Sequence, residues 1–290
     1  MKNIIILGAS GMAGHIVYTV LKEKLDKQNY SVFGTTNSND FLDITQKLDI
    51  FNTDAVEKYL SEVEPYMVIN CIGVLIKGSK EFPDKTIFAN SYFPHFLAKL
   101  AFKNSFKLVH ISTDCVFSGK EGGYTETSVR DASDIYGMSK ALGEIIDEKN
   151  LTIRTSIIGP EIKESGEGLF DWFMKTNDKD ISGYESNFWS GVTTLELANF
   201  ITWLIDHNDF NQLIHLTNNE AISKYSLLKI FNEVFEQHKT INNNRDYVCN
   251  KSFVNTNKKL DYHVPSYHQM LEEQKEFMKN HSDLYKHYKI

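Results

Sequence analysis

The chain has 290 residues, 41% of them hydrophobic, enough for one large globular domain or two unequal lobes. Its 31 basic and 38 acidic side chains give a net charge of −7, which argues against nucleic acid as a partner because phosphates would be repelled. The three cysteines are scattered and suggest neither a disulfide framework nor a metal site. No apolar run is long enough for a membrane span or an export signal, so we expect a cytoplasmic protein.

The first predicted element is a strand that leads into a glycine-rich turn. Ile4–Leu7 is a β-branched run typical of a buried parallel strand, and Gly8, Gly11 and Gly14 follow at intervals of three. Apolar residues then recur at helical spacing from Ile16. Glycines alone would be compatible with an ordinary turn. Strand, turn and helix N-terminus in this order predict a dinucleotide site, since backbone N–H groups and the helix dipole converge on a phosphate.

Strand and helix patterns continue to alternate along the chain. Further strands are predicted at Ser31–Thr35, Met67–Cys71, Leu108–Ile111 and Thr152–Ile157, with helices such as Asp54–Val63 and Asp84–Lys103 between them. This alternation predicts an α/β fold of the Rossmann type, a doubly wound parallel sheet with helices on both faces. Ligands of such sheets bind at the carboxyl ends of the strands, so the glycine turn and the residues after the other strands should share one edge.

The remaining third of the chain carries less pattern. An amphipathic helix is predicted to begin after Thr194, and a terminal helix with an apolar side around Met270–Met278. The polar, asparagine-rich stretch Lys239–Asp246 is interpreted as a surface loop.

A tyrosine and a lysine four positions apart give the strongest catalytic signal. If Tyr136–Ile146 is helical, Tyr136 and Lys140 lie on one face, and the ammonium would bring the phenol's pKa of about 10 closer to the working range. Thr113 precedes Tyr136 by 136 − 113 = 23 positions and can offer a hydroxyl at the end of its strand. Ser112 is the adjacent alternative for that role. A solvated helix face and a strand-end hydroxyl bonded to its own backbone are the non-catalytic interpretations.

Together these motifs resemble the extended short-chain dehydrogenase/reductase superfamily, most nearly its dTDP-4-dehydrorhamnose reductase branch. The resemblance covers about residues 1–205 and extends to the stretches around Ser112–Gly119, Tyr124–Thr127, Ile135–Glu144 and Arg154–Pro160. It implies NADPH-dependent reduction of the 4-keto group of a nucleotide-activated 4-keto-6-deoxy sugar, for surface polysaccharide synthesis. Tyr136 would then donate the proton, Lys140 would lower its pKa and hold the nicotinamide ribose, and Thr113 would hydrogen-bond the carbonyl oxygen.

The identity of the cofactor depends on the end of the second strand. NAD-preferring sites place a carboxylate there, whereas this chain has Thr35, Thr36 and Asn37, followed by Ser38 and Asn39, which can donate hydrogen bonds to a 2′-phosphate. We therefore expect NADPH, with NADH as the alternative. Asp43 and Ile44 resemble the family position near the adenine, and a helix N-cap by Asp43 or Thr45 is the competing interpretation.

The resemblance also assigns the rest of the site. The expected cofactor-binding residues are Gly8, Ser10, Gly11, Met12, Gly14, Thr35, Thr36, Asn37, Asp43, Ile44, Cys71, Ile72, Gly73, Asn90, Tyr136 and Lys140. The expected substrate-binding residues are Ser112, Asp114, Cys115, Tyr124 and Trp189. For Asn90 an interhelix hydrogen bond is the competing interpretation, and for Cys115 a small apolar residue in a loop. No metal is predicted.

We expect a dinucleotide-binding domain at residues 1–160 plus about 190–215, and a smaller substrate-binding lobe at 161–189 and 216–290. The chain lacks the Gly-x-Pro-Thr stretch of the rhamnose branch near Trp189, so a UDP-linked N-acetylamino sugar is as compatible as a dTDP sugar. Two other functions stay open: an epimerase or dehydratase that retains NAD, and a non-catalytic regulatory subunit. Beyond a nucleotide sugar, the expected partner is a second copy in a homodimer, with neither nucleic acid nor membrane.

Overall fold

A computed structural model describes residues 1–25, 29–37, 41–44, 46–164 and 166–290. The strands are β1 Lys2–Leu7, β2 Tyr30–Thr35, β3 Pro65–Asn70, β4 Lys107–Thr113, β5 Leu151–Thr155, β6 Ile157–Ile158, β7 Asp180–Tyr184, β8 Asn187–Trp189, β9 Val192–Thr193, β10 Gln212–His215, β11 Ile222–Ser223, β12 Thr240–Asn244 and β13 Cys249–Asn250. The α-helices are α1 Gly14–Leu25, α2 Thr53–Val63, α3 Ile76–Glu81, α4 Pro83–Ile87, α5 Phe93–Lys103, α6 Ile135–Leu142, α7 Leu169–Lys175, α8 Thr194–Asp206, α9 Lys224–Val234 and α10 Tyr267–Asn280.

A six-stranded sheet in the order β10-β5-β4-β3-β1-β2 forms the centre of the first part of the chain. Pairing is parallel from β2 through β1 and β3 to β4. Because β2 lies on one side of β1 and β3 on the other, the direction of winding reverses at β1. A crevice at the carboxyl ends of β1 and β3 is where such sheets bind their ligands.

Both faces of this sheet are covered. Alternate residues of β1 and β3, such as Ile5 and Val68, pack with apolar residues of α2 and α5, including Leu60 and Leu97. The intervening residues are equally buried, as Ile4 shows, and α1 packs against β1 and β2. Strands buried on both faces require continuous apolar runs, which is why the sequence pattern located them. The predicted α/β, Rossmann-type class is confirmed.

The helix predicted at Asp84–Lys103 exists but is not uniform. It runs as α4, then a π-helical turn at Phe88–Tyr92, then α5. π turns of this kind occur frequently at functional sites, and this one contains Asn90.

The described residues divide into two compact units. The first comprises residues 1–116, 130–154 and 198–214, and the second residues 117–129, 155–197 and 215–290. Residues 117–129 were expected in the dinucleotide-binding domain, but they group with the second unit. The chain re-enters the first unit at residue 198, whereas about residue 190 was expected. Whether the units bind dinucleotide and substrate respectively stays a prediction.

The second unit contains short sheets and three helices. β8 pairs with β11 and β13, β6 with β9, and β7 with β12. The interpretation of Lys239–Asp246 as a loop was wrong, because β12 runs through it and pairs in parallel with β7 from Thr240 to Asn244. Its asparagines are poor strand formers, and backbone pairing with β7 overrides that preference. Over the described parts of the chain, every helix is too short or too polar to cross a bilayer.

Candidate active site

The glycine turn occupies the carboxyl end of β1. Gly8 has a φ of +78°, a left-handed conformation that favours glycine. At Gly14, the first residue of α1, a Cβ atom would lie 2.1 Å from the carbonyl oxygen of Gly8. The backbone therefore folds so tightly that only glycine fits, and this cradle brings the positive end of α1 to the end of β1. The turn, with Ser10, Gly11 and Met12 between these glycines, fits a dinucleotide pyrophosphate.

His15 supports the turn from inside the protein, a role that was not predicted from the sequence. Its side chain is fully buried, and its Nδ1 lies 2.9 Å from the carbonyl oxygen of Gly11. Burial lowers the pKa of His15 to about 4, so the imidazole is neutral at neutral pH and Nδ1–H can donate to that oxygen. The sequence does carry a signal for this role: His15 is a polar residue directly after the third glycine, on the inward face of an apolar helix.

The end of β2 lies beside the glycine turn. A Cβ at Gly34 would meet Ile44 at 2.5 Å and Ala9 at 2.9 Å, so Ile44 and Ala9 of the turn both pack against Gly34. The side chains of Thr35 and Thr36 are buried, whereas Asn37 is exposed. Ser38, Asn39 and Thr45 lie outside the described residues.

A lysine that was not among the predicted site residues lies beside the end of β2. Lys47 forms an isolated parallel bridge with Thr36 and is exposed. The sequence offers no arginine for a 2′-phosphate, but the structure places an ammonium-bearing residue beside the strand. The two paired residues are 11 positions apart in the chain, and spacing alone does not reveal this pairing.

Asp43 is tied to α1. Its carboxylate accepts a 2.5 Å hydrogen bond from the hydroxyl of Tyr18 and lies 3.6 Å from Nζ of Lys22. Although burial opposes it, these two partners lower the pKa of the Asp43 carboxyl. The N-cap interpretation of Asp43 was wrong, because Phe41–Ile44 forms a turn and the next helix, α2, is capped by Asn52.

The loop after β3 completes the crevice. Cys71 donates its backbone N–H to the carbonyl of Leu7 at 3.1 Å, and the side-chain oxygen of Asn70 accepts from the N–H of Ile72. A Cβ at Gly73 would lie 3.9 Å from Nζ of Lys140, so this loop runs next to the predicted catalytic lysine. Burial raises the pKa of the Cys71 thiol to about 12, which makes it a poor nucleophile.

Asn90 in the π turn joins this loop to α6. Its side chain accepts from the N–H of Val74 at 2.8 Å, and donates to the carbonyl of Val74 at 3.0 Å and to the hydroxyl of Ser139 at 3.1 Å. The interhelix interpretation therefore describes its contacts in this structure, and its action on a cofactor would pass through the loop that it holds.

The structure brings Thr113, Tyr136 and Lys140 together within the first unit. Thr113 ends β4, and its hydroxyl lies beside the phenol of Tyr136 and lowers that phenol's pKa. Burial is the largest influence on Tyr136 and raises its pKa above the ordinary value, so the phenol is protonated at neutral pH. Nζ of Lys140 donates to the carbonyl of Ile111 at 2.6 Å. Burial lowers the pKa of Lys140 to about 8, against the opposing effects of Glu144 and Cys71.

Between the two hydroxyls left open by the sequence, the geometry favours Thr113. Ser112 points its hydroxyl at the buried carboxylate of Glu144, 2.7 Å away. The Thr113 hydroxyl donates to Asp114 at 3.1 Å and accepts from the N–H of Cys115 at 3.1 Å. A Cβ at Gly137 would lie 2.2 Å from the carbonyl oxygen of Cys115, so this turn packs directly onto α6.

Two expected substrate contacts belong to the second unit. Tyr124 is buried and stacks on Phe117, with ring centroids 4.1 Å apart. Trp189 is also buried, between Tyr267 at 5.6 Å and the ammonium of Lys224, 5.0 Å from the indole. Both rings have structural partners, and their contact with a substrate stays a prediction.

Comparison with known proteins identifies the family. Residues 1–248 match the model of the RmlD substrate binding domain family. The chain belongs to this family.

Similarity to individual members of the RmlD substrate binding domain family and its neighbours is moderate. The chain is 26% identical over 251 residues to the dTDP-4-dehydrorhamnose reductase of Aggregatibacter actinomycetemcomitans, covering 82% of this chain and 81% of that one. It is 23% identical over 243 residues to methionine adenosyltransferase 2 subunit beta of Xenopus tropicalis, covering 78% and 70%. A solved dTDP-4-dehydrorhamnose reductase from Bacillus anthracis, in complex with NADP, has a TM-score of 0.78 at 23% identity and covers 96% and 100% of the chains. The family and the oxidoreductase class predicted from the sequence are confirmed.

Proposed function

We propose that this protein reduces the 4-keto group of a nucleotide-activated 4-keto-6-deoxy sugar with NADPH. The observation that supports this most is the convergence of Thr113, Tyr136 and Lys140 beside the glycine turn and the loop after β3. The first unit would bind the dinucleotide. A dTDP sugar and a UDP-linked N-acetylamino sugar both suit the chemistry.

The chain's own residues supply a proton donor and its support. The glycine turn would hold NADPH, with Asn37 and Lys47 as the candidates to bind its 2′-phosphate, and the cofactor would supply the hydride for the carbonyl carbon. Tyr136 donates its phenolic proton to the carbonyl oxygen as negative charge develops there. Thr113 hydrogen-bonds the same oxygen, and the Lys140 ammonium stabilises the phenolate left behind.

The function is tested by following NADPH absorbance with purified protein and dTDP- and UDP-linked 4-keto-6-deoxy sugars side by side. Oxidation with one sugar and not the other would support a reductase and identify the nucleotide. Cofactor binding without oxidation of either would contradict the proposal, favouring a retained-cofactor epimerase or dehydratase, or a non-catalytic regulatory subunit.

Cofactor preference is expected to depend on Lys47. Its replacement by alanine removes a positive charge beside the proposed 2′-phosphate site and should weaken NADPH binding about tenfold while leaving NADH binding unchanged. Fluorescence titration of both cofactors measures this. Lys58→Ala, at an exposed position of α2, is the control, and an equal loss for NADPH and NADH with Lys47→Ala would contradict the assignment.

Reductase activity should decline in alkaline solution because of Lys140. Its pKa is about 8, so the ammonium is charged below that pH and loses its proton as pH rises through it. The neutral amine no longer stabilises the phenolate form of Tyr136, so kcat should fall. A kcat–pH profile measured at saturating substrate tests this, and a kcat that stays flat to about pH 10 would argue against a charged Lys140 in the reaction.

A further inference from the structure

A buried carboxylate lies behind the catalytic residues. Glu144 follows the end of α6 by two positions, and its side chain is fully buried. One oxygen accepts from the Ser112 hydroxyl at 2.7 Å and from Nε of Arg154 at 2.8 Å. The other accepts from the guanidinium groups of Arg154 at 2.7 Å and Arg130 at 3.1 Å. One carboxylate thus joins the ends of β4 and α6 with β5 and the segment before α6.

Burial of these charges costs desolvation energy, and stability alone does not require a buried ion pair. Buried ion pairs can often be replaced by apolar side chains of similar volume with little loss of stability or with a gain. Arg154 is itself 1% exposed, so two ionised groups have been removed from water. The contacts of Glu144 offer a functional reason for keeping these two charges.

Glu144 and Lys140 hold the same short stretch of β4. Lys140 bonds the carbonyl of Ile111, Glu144 bonds the hydroxyl of Ser112, and Thr113 follows directly. The position of the Thr113 hydroxyl relative to the phenol of Tyr136 thus depends on bonds at the two preceding residues.

Glu144 also acts on Lys140 through charge. Burial lowers the pKa of the Lys140 ammonium, and Glu144 is the largest influence that raises it, ahead of Cys71. The charged or titratable groups around this pair come from β4, β5, α6, the loop after β3, the turn after β4 and the segment before α6, and they are Cys71, His110, Asp114, Arg130, Asp134, Tyr136 and Arg154. His110 is buried, and its pKa is well below the ordinary value, so it adds no positive charge at neutral pH.

We propose that Glu144 is a positioning residue for the reductase reaction, which holds Thr113 in place through Ser112 and provides a negative charge four positions after Lys140. The proposal rests on the proposed function of this site. Glu144 touches neither substrate nor reacting atoms, and its effect passes through the residues that do.

The test is Glu144→Gln, which keeps the shape and removes the charge. We expect kcat to fall roughly tenfold or more, KM for NADPH to change by less than about threefold, and the alkaline limb of the kcat profile to move down by about one pH unit. Glu148→Gln, an exposed position on the same connection, is the matched control and should behave as wild type. An unshifted profile in a folded Glu144→Gln protein would overturn the proposal.

A second variant separates positioning from charge compensation. Glu144→Gln removes the counter-charge of the buried Arg154, a change that can unfold a protein, so Glu144→Gln/Arg154→Met removes both ions together. We expect this double variant to fold but to keep the low kcat and the shifted profile. Recovery of wild-type kcat and profile would show that Glu144 only neutralises Arg154, and would overturn the proposal.

A readout without turnover distinguishes this proposal from the function itself. The reaction of Lys140 with acetic anhydride, followed by mass spectrometry across pH, reports the titration of its amine in the cofactor-free protein. A lower midpoint in Glu144→Gln supports the effect of Glu144 on Lys140 even if the wild type reduces neither sugar, a result that would contradict the proposed function. Equal midpoints would overturn it.

Discussion

Tyr136→Phe is expected to lower kcat roughly a hundred- to ten-thousandfold, the usual contribution of a positioned general acid. The phenol lies beside the hydroxyl of Thr113 at the end of β4, and burial keeps the phenol protonated at neutral pH. Phenylalanine keeps the ring and its packing but has no proton to donate to the carbonyl oxygen. Steady-state NADPH oxidation gives the rate, and fluorescence titration should show cofactor binding within about threefold of wild type.

The control for this substitution is Tyr92→Phe. Tyr92 lies in the π turn and is 52% exposed, so removal of its hydroxyl should change neither rate nor binding. Near-normal turnover by Tyr136→Phe would remove Tyr136 from the mechanism and direct attention to Thr113 and the nearby Asp114 as proton donors.

Gly14→Ala is expected to weaken cofactor binding strongly. The new Cβ would lie 2.1 Å from the carbonyl oxygen of Gly8 and 2.9 Å from its carbonyl carbon, so backbone atoms must shift. Overpacking of this kind costs about 1–3 kcal/mol, and a displaced turn cannot present its N–H groups to a pyrophosphate. Affinity for NADPH should fall about ten- to a hundredfold or more, alongside a lower midpoint of urea unfolding.

Gly11→Ala provides the matched comparison within the same turn. Its Cβ would lie 3.3 Å from the same Gly8 oxygen, which a small adjustment of a few tenths of an ångström relieves. We expect a clearly smaller loss of affinity than with Gly14→Ala. If both variants bind NADPH as tightly as wild type, the glycine turn is not the pyrophosphate site.

The sequence predicted those parts of the molecule that local pattern determines. Strands buried on both faces need uninterrupted apolar runs, so β1 to β5 were located to within a few residues. The glycine turn and the Tyr136–Lys140 spacing depend on neighbours in the chain, and they carried the family resemblance and the predicted catalytic set. The family model agrees with that assignment.

What the sequence did not reveal depends on partners far apart in the chain. The bonds of Glu144 to Ser112 span 32 positions, and Tyr18 reaches Asp43 across 25. No local preference marks either pairing, nor the return of Lys47 to Thr36. β12 was missed for a related reason, since an asparagine-rich segment becomes a strand only where β7 offers its backbone.

The π turn at Phe88–Tyr92 rotates the second part of the long helix about the helix axis relative to the first part. An α-helix advances 100° per residue, so one extra residue in a single turn rotates everything after it by about that amount relative to what precedes it. The inward-facing residues of α4 and those of α5 therefore belong to two helical repeats that are out of phase with each other. Deletion of one residue from this turn would bring the two helical repeats into phase. Either Asn90 or the core residues Phe93 and Leu97 would then face away from their present partners. The length of that turn is thus as much a part of the site as the asparagine within it.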